Sequence, residues 1–408
     1  MIEGWKKGVL SDFVELIHGY QFRSIDFTEE GIPVIKISNV IGAQLDLSDL
    51  SYIDASRLSD FKKYLLKEGD VLMSLTGNIG RVVMVKNIDK PFLQNYRVGK
   101  FVPINSKDIL KSYIKYLLSS DLVLNQLFKF ANQSAQANFG KQDMNKLKVV
   151  IPNSLPEQQK IAEILSTVDA KIENIEKQIK ETEQLKKGMM QRLLTQGIGH
   201  TEFKDTPLGR IPKSWEVKKL GSFAKVYAGG TPKTSNLKYW GGSIRWMSSG
   251  EVNKRFIDEV EGRITDLGLN ESSARLVPPR SILMALAGQG KTRGKVAINH
   301  VELTTNQSLA AITNLQDVDV DFLFQNLESR YHEIRRMSTG DGGRGGLNLK
   351  IINSIKVPIP ETEEQLKISK VIKRVDDKIT SLLLKVEAYG KLKMGLMQKL
   401  LTGQIRVT

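Results

Sequence analysis

Cysteine is absent from all 408 residues. That excludes disulfides, a thiolate metal site and a cysteine nucleophile, and it leaves a reducing compartment allowed without proving one. Histidine is scarce: His18, His200, His300 and His332 lie far apart and show no metal-ligand spacing. No apolar run approaches the roughly 18 residues that a membrane span needs. No signal peptide precedes Trp5, so the expected location is cytoplasmic. Also missing are an Asn/Asp-Pro-Pro-aromatic stretch of the amino-methyltransferase kind and a Gly-x-Gly-x-x-Gly after a strand. Without constellations for acid–base or nucleophilic catalysis, the chain reads as a non-enzyme.

What the chain has is a repeat. Glu157–Thr195 superimposes on Glu364–Thr402 at a constant offset of 207, without a gap, and 16 of the 39 positions are identical. Each copy follows a proline-bounded exit strand, KVVIP to Pro152 and KVPIP to Pro360. Ile161, Leu165, Val168, Ile172, Ile175 and Ile179 alternate spacings of three and four, as do Ile368, Ile372, Val375, Ile379, Leu382 and Val386. That narrow seam predicts a coiled coil rather than a helix on a broad core, with helices roughly 58 Å long. Identity clusters at the two ends and vanishes between Glu173 and Gln184. An antiparallel pair then carries the same composite patch at each end, related by a pseudo-twofold axis, and two equal patches predict two copies of one partner. The expected partner-binding residues are Leu185, Met189, Met190, Leu193, Leu194, Leu392, Leu396, Met397, Leu400 and Leu401.

The repeat extends into the rest of the chain. Trp5, Leu10, Phe13 and Gly19 match Trp215, Leu220, Phe223 and Gly229. IPVIKISNV from Ile32 and IRWMSSGEV from Ile244 are candidate strands. DVLMSLTGNIGRVVMV from Asp70 and SILMALAGQGKTRGKVAI from Ser281 read as β-hairpins. FLQNYRVGKFVP from Phe92 answers LTTNQSLAAITN from Leu303, and helical stretches follow at Ile109–Phe130 and Val320–Met337. The expected fold is α+β: two mixed α/β-type globular domains separated by two long helices forming an antiparallel coiled coil, in a pseudo-twofold internal repeat. The boundaries are 1–152 for the first domain, 153–197 for the first helix, 198–360 for a linker and the second domain, and 361–408 for the second helix.

Formal charge is +15, and it sits mainly on the globular halves and the second helix, which points to a polyanion such as nucleic acid. Ala285–Thr292, ALAGQGKT, satisfies a relaxed phosphate-loop pattern. A phosphate loop opens a helix, whereas RGKVAINH after it alternates like a strand, so ATP binding is not expected.

The layout resembles the DNA-specificity (S) subunits of type I restriction-modification enzymes. The residues that carry this are Val150-Ile151-Pro152 with Glu157-Gln158, Val357–Pro360 with Glu364-Gln365, the isoleucine-rich helices, and Gly-x-Ile-Pro-x-x-Trp at Gly209–Trp215. The resemblance spans nearly the whole chain, from Trp5 to about Gln404. It implies a non-catalytic subunit whose two domains each read half of an asymmetric, bipartite DNA site, with the helices as spacer. It implies two methylation (M) subunits as partners, acting on adenine N6, and restriction (R) subunits besides. S-adenosylmethionine, and ATP with Mg for restriction, then belong to those partners and not to this chain. The alternative is a stand-alone two-domain DNA-binding or scaffold protein without methyltransferase partners.

A spacer of roughly 58 Å corresponds to about 17 base pairs. Bases are read by amide, hydroxyl and arginine groups, and phosphates by lysine and arginine. The expected DNA-binding residues of the first half are Lys36, Ser38, Asn39, Asn78, Arg81, Asn95, Tyr96, Gln133, Gln136 and Lys141. Those of the second are Lys233, Arg245, Ser248, Ser249, Gln289, Lys291, Arg293, Asn306, Gln307, Arg336 and Arg344.

Overall fold

The structure, a computed structural model of the chain, describes residues 3–42, 44–131, 138–288, 292–338 and 346–407. The chain divides into two compact units, Met1–Gln178 with Leu382–Thr408 and Ile179–Ser381. These cuts fall inside the two long helices, whose own spans are Leu155–Gln196 and Thr362–Leu400.

In unit 1, Trp5–Val9 pairs antiparallel with Lys148–Pro152 and so ties the start of the domain to its exit strand. The central sheet runs Val14–His18, Val98–Pro103, Val71–Ser74 and Val82–Met84 in spatial order, all antiparallel. Val71–Ser74 is buried throughout because both of its faces are covered. Side chains alternate across a strand. Val71 and Met73 therefore meet Tyr113, Ile114 and Leu117 on one side, while Leu72 meets Ile35, Val83 and Val98 on the other. A second sheet orders Leu93–Gln94, Ile32–Ile35, Ser51–Ile53 and Phe27–Thr28, its first pair parallel.

Unit 2 repeats that topology. Glu216–Lys219 pairs with Lys356–Ile359. The sheet order is Lys225–Ala228, Leu309–Thr313, Ser281–Ala285 and Val296–Asn299, with Phe256–Ile257 added at the edge. Ile282 and Met284 face Leu323 and Leu327, and Leu283 and Ala285 face Met247 and Ala297. Gly262–Ile264, Trp240–Met247 and Thr304–Thr305 form the smaller sheet, its last pair again parallel.

Both expected hairpins form. The chain past Gly294 leads into the strand Val296–Asn299, so Ala285–Thr292 does not open a helix. The two candidate strands end early: Ile37–Asn39 and Ser249–Lys254 turn into 3-10 helices. The helical stretches break into Lys111–Leu118 plus Asp121–Ala131 and Val320–Ser329 plus Tyr331–Arg336. At the first break the Ser119 and Ser120 hydroxyls donate to the Lys115 and Leu117 carbonyls at 2.7 and 2.6 Å, replacing the next helical turn. The segment read as a linker holds an antiparallel pair, Phe203–Thr206 with Gly209–Pro212.

All twelve seam residues of the long helices are buried or half-buried. In unit 1 the opening of the first helix lies beside the close of the second, with Asp169 2.6 Å from Lys393. In unit 2 the arrangement is reversed, with Lys186 2.7 Å from Asp376. These are the same two positions of the repeat exchanged, so the helices run antiparallel.

Gln158 and Gln365 show why the Glu-Gln pair recurs. The fully buried Gln158 accepts from Leu110 N (2.9 Å) and donates to the Asp108 and Pro152 carbonyls (2.8 and 2.9 Å). Gln365 accepts from Asp319 N (2.7 Å) and donates to the Asp317 and Pro360 carbonyls (3.1 and 2.9 Å). Each amide fastens the long helix to the exit strand and to the loop ahead of the domain's own helix.

Candidate nucleic-acid interface

Three backbone hydrogen bonds draw the polar turns of each unit together. In unit 1, Asn95 N donates to Ile35 O (3.1 Å), Leu75 N to Arg97 O (3.0 Å) and Phe139 N to Leu75 O (2.9 Å). In unit 2 the counterparts are Asn306 N to Met247 O (3.0 Å), Leu286 N to Ser308 O (2.8 Å) and Leu347 N to Leu286 O (2.9 Å). The turn after the smaller sheet's central strand, the hairpin turn and the turn between the two sheets therefore meet in both units. Close approach at this point requires glycine. A Cβ on Gly19 would lie 2.1 Å from Gln94 O, and one on Gly229 would lie 2.2 Å from Thr305 O.

On these turns Ser38, Asn78, Arg81 and Tyr96 of unit 1 are exposed, and Lys36 and Asn95 half-exposed. Tyr96 stacks on His18 with ring centroids 5.0 Å apart. Lys36 reaches the Ser51 hydroxyl at 2.6 Å. Lys141, exposed beyond Phe139, pairs with Glu15 at 3.5 Å. In unit 2 Gln307 is exposed and bonded to Thr231, with Asn306, Ser248 and Ser249 half-exposed. Lys233, on the loop before Leu237, and Arg336, the last residue of its helix, are exposed. Arg245 pairs with Glu259 at 3.3 Å. The Val260 amide first, then Arg245 and Arg263, hold the Glu259 carboxyl down to about 2.

Two residues expected to read DNA are placed otherwise. Asn39 is buried, and its amide donates to the Asp46 and Asp49 carbonyls at 2.9 and 2.8 Å, so it shapes the loop. Arg293 is 7% exposed, which leaves its guanidinium little access to a duplex. Gln133, Gln136, Gln289, Lys291 and Arg344 lie outside the described residues.

Of the ten residues expected to bind a partner, four are buried within the chain. Leu400 and Leu401 pack with Ile161, Leu165 and Trp5 in the unit 1 core, and Met190 and Leu194 pack with Ile368, Ile372 and Trp215 in unit 2. One side of each identical helix end is therefore an internal joint, seated on the same domain scaffold in both units. Leu185 and Leu392, at equivalent positions, remain exposed at 57% and 49%. Met189, Leu193, Leu396 and Met397 are half-buried.

Charge locks these joints. Asp169 accepts from Lys115 (2.7 Å) and Tyr116 (2.9 Å) besides Lys393. Burial pushes its carboxyl up, but hydrogen bonds and charge from Lys115 and Lys393 outweigh that and leave it below the usual carboxylate range. In unit 2, Asp376 and Glu328 share Arg255 and Lys186. The sequence reading missed His200, whose Nε2 lies 2.9 Å from Glu364; the same carboxylate accepts from Trp215 Nε1 (2.9 Å) and Ile198 N (2.8 Å). Its counterpart Glu157 pairs with Arg406, and the buried Trp5 indole N–H finds no acceptor among the described residues. The signal available was Trp215 itself, the last residue of its entry motif. Among the described residues no cluster of histidine and carboxylate could hold a metal ion, and no helix is long and apolar enough to cross a membrane.

Comparison with known proteins gives one answer. The family model for the type I restriction modification DNA specificity domain matches residues 2–184 and 212–387. A Methanocaldococcus jannaschii protein assigned as the MjaX type I restriction enzyme specificity subunit is 30% identical over 99% of this chain and 94% of its own length. The MjaVIII specificity subunit of the same organism is 25% identical over 99% and 94%. The crystal structure of the S subunit from M. genitalium superimposes with a TM-score of 0.59 at 15% identity, covering 97% of this chain and 96% of that one. A structure of a type I system described for complex assembly and conformational transition gives 0.60 at 14% identity, covering 98% of both chains.

Proposed function

The chain belongs to the type I restriction-modification DNA specificity family, and from that premise we propose that each unit reads one half of a bipartite DNA sequence. The observation that carries this is the pair of turn clusters. The same three backbone bonds assemble them and Asn95 and Asn306 are shared, yet at matched positions one unit presents Lys36 and Tyr96 and the other Ser248 and Gln307. One scaffold with unlike polar groups implies two unlike half-sites. Lysine and arginine contacts to phosphate supply position, and amide and hydroxyl groups on base edges supply sequence.

The partners follow from the same premise. Two methylation subunits dock through the equivalent faces around Leu185 and Leu392, and restriction subunits join that complex. S-adenosylmethionine, ATP and Mg are held by those partners, the methylated atom is adenine N6, and the complex works in the cytoplasm. The long helices set the gap between half-sites.

Selection from random-sequence duplexes tests the DNA reading. The chain together with its methylation subunits should enrich a consensus of two different blocks separated by a fixed gap. Enrichment of a single block, or of none, would sink it. Sedimentation of the co-purified complex should give two partner subunits per chain, whereas a stand-alone DNA-binding protein would bring down no methyltransferase.

A further inference from the structure

Among the large apolar side chains described, two stand out of the surface far more than the rest. Ile25 is 90% exposed and Leu237 84%, while the next, Met394, reaches 65%. Isolated aliphatics on a surface are ordinary. What is not ordinary is that both stand on the turn that leads into the same strand of the repeat.

Ile25 sits on the 3-10 turn Ser24–Asp26, directly before the strand that begins at Phe27. Leu237 opens the 3-10 turn Leu237–Tyr239, directly before the strand that begins at Trp240. Pairing fixes the equivalence. Phe27 lies opposite Ile53 and Trp240 opposite Ile264; further along, Val34 pairs parallel with Leu93 and Trp246 with Thr304. The sequences at the two turns, RSIDF and NLKYW, share no aligned residue. With Phe27 matched to Trp240, Ile25 aligns with Lys238 and Leu237 with Ser24, so what the repeat shares is an aliphatic tip on this turn.

Both turns are held by hydrogen bonds on either side of the tip. Asp26 accepts from Arg23 N at 2.8 Å and pairs with Arg57 at 3.1 Å. Asn236 accepts from Lys238 N at 3.2 Å, Thr265 donates to Lys238 O at 2.8 Å, and the Tyr239 hydroxyl donates to Glu271 at 2.6 Å. The exposed Arg23 flanks one apolar tip, and the exposed Lys233 and Lys238 flank the other. Cations beside a fixed aliphatic tip suit duplex DNA: the cations meet phosphate, and the tip meets the apolar parts of the bases. Those are the thymine C5-methyl in the major groove and the face of an opened base step.

We propose that Ile25 and Leu237 are apolar base-contacting residues, each acting on the half-site read by its own unit. This rests on the DNA reading above, and the experiment separates the two. Full-length wild type, Ile25→Ala, Leu237→Ala and the double variant, each with its methylation subunits, are put through selection on random duplexes. Melting temperatures should be unchanged. Ile25→Ala should relax one or two positions in one block only and Leu237→Ala in the other, with affinity for the wild-type consensus reduced roughly five- to tenfold. At a relaxed position, replacing thymine by deoxyuridine should weaken wild type and leave the variant unaffected if the methyl is the contact. A 2-aminopurine there should brighten on binding if a base step is opened. Variants that select the wild-type consensus with wild-type affinity overturn the proposal, as does an equal loss on every sequence. A wild type that enriches nothing would instead overturn the DNA reading on which it stands.

Discussion

At the scale of single residues, buried polar groups hold each unit's joint. Gln158 and Gln365 are fully buried, and each satisfies three backbone groups, of which the Pro152 and Pro360 carbonyls are bonded in the interior. Gln158→Ala should cost about 3 kcal/mol, since an orphaned buried amide or carbonyl costs ~1–3 kcal/mol and water recovers part of it; urea unfolding measures this. Asp169→Asn should cost a similar ~3 kcal/mol, because Lys115, with 8% side-chain exposure, loses its counter-charge. The sign of the pH effect follows from the lowered carboxyl. Its stabilisation is complete above the unfolded-state value near 4 and disappears as pH falls through the lower folded-state value. Thermal melts of wild type should therefore lose stability below about pH 4, and Asp169→Asn should flatten that slope.

At the scale of elements, the long helices divide their positions between interior and surface. Leu400→Glu buries a charge in the unit 1 core and should cost more than ~4 kcal/mol, so its loss of partner binding would report unfolding. Leu185→Glu with Leu392→Glu alters exposed positions, and should keep the melting temperature while abolishing co-purification of the methylation subunits. Retained binding would move the docking faces elsewhere. Gly188 and Gly395 occupy one repeat position, and a Cβ there would meet nothing within 4 Å. Alanine at either should stabilise the free chain by up to ~1 kcal/mol in the same unfolding assay.

At the scale of the whole molecule, a net charge of +15 makes DNA affinity salt-dependent. The logarithm of the binding constant should fall linearly with the logarithm of salt, by about 0.9 per phosphate contact. Arg81→Ala then discriminates two roles. As a phosphate contact it weakens all sequences and lowers the slope by about one; as a base contact it relaxes a single position and costs ~1–3 kcal/mol. Quantitative binding at several salt concentrations reads both.

The repeat, the helix pair and the order domain–helix–domain–helix were legible in the sequence because they rest on periodicity. A seam at spacings of three and four, and strands around a glycine-bearing turn, are local patterns that tertiary contacts only confirm. Which face of each helix end is interior was decided by the folded structure. Leu193, Leu194, Leu400 and Leu401 read alike in sequence, but burial depends on the domain packed against them. The same holds for Asn39 against Asn78: one amide is consumed by its own loop and the other faces solvent. The joining of His200 to Glu364 across 164 positions, and the matched exposure of Ile25 and Leu237, were decided only when the chain closed on itself. Local spacing sets the elements; long-range contact determines which of their side chains remain free to meet DNA.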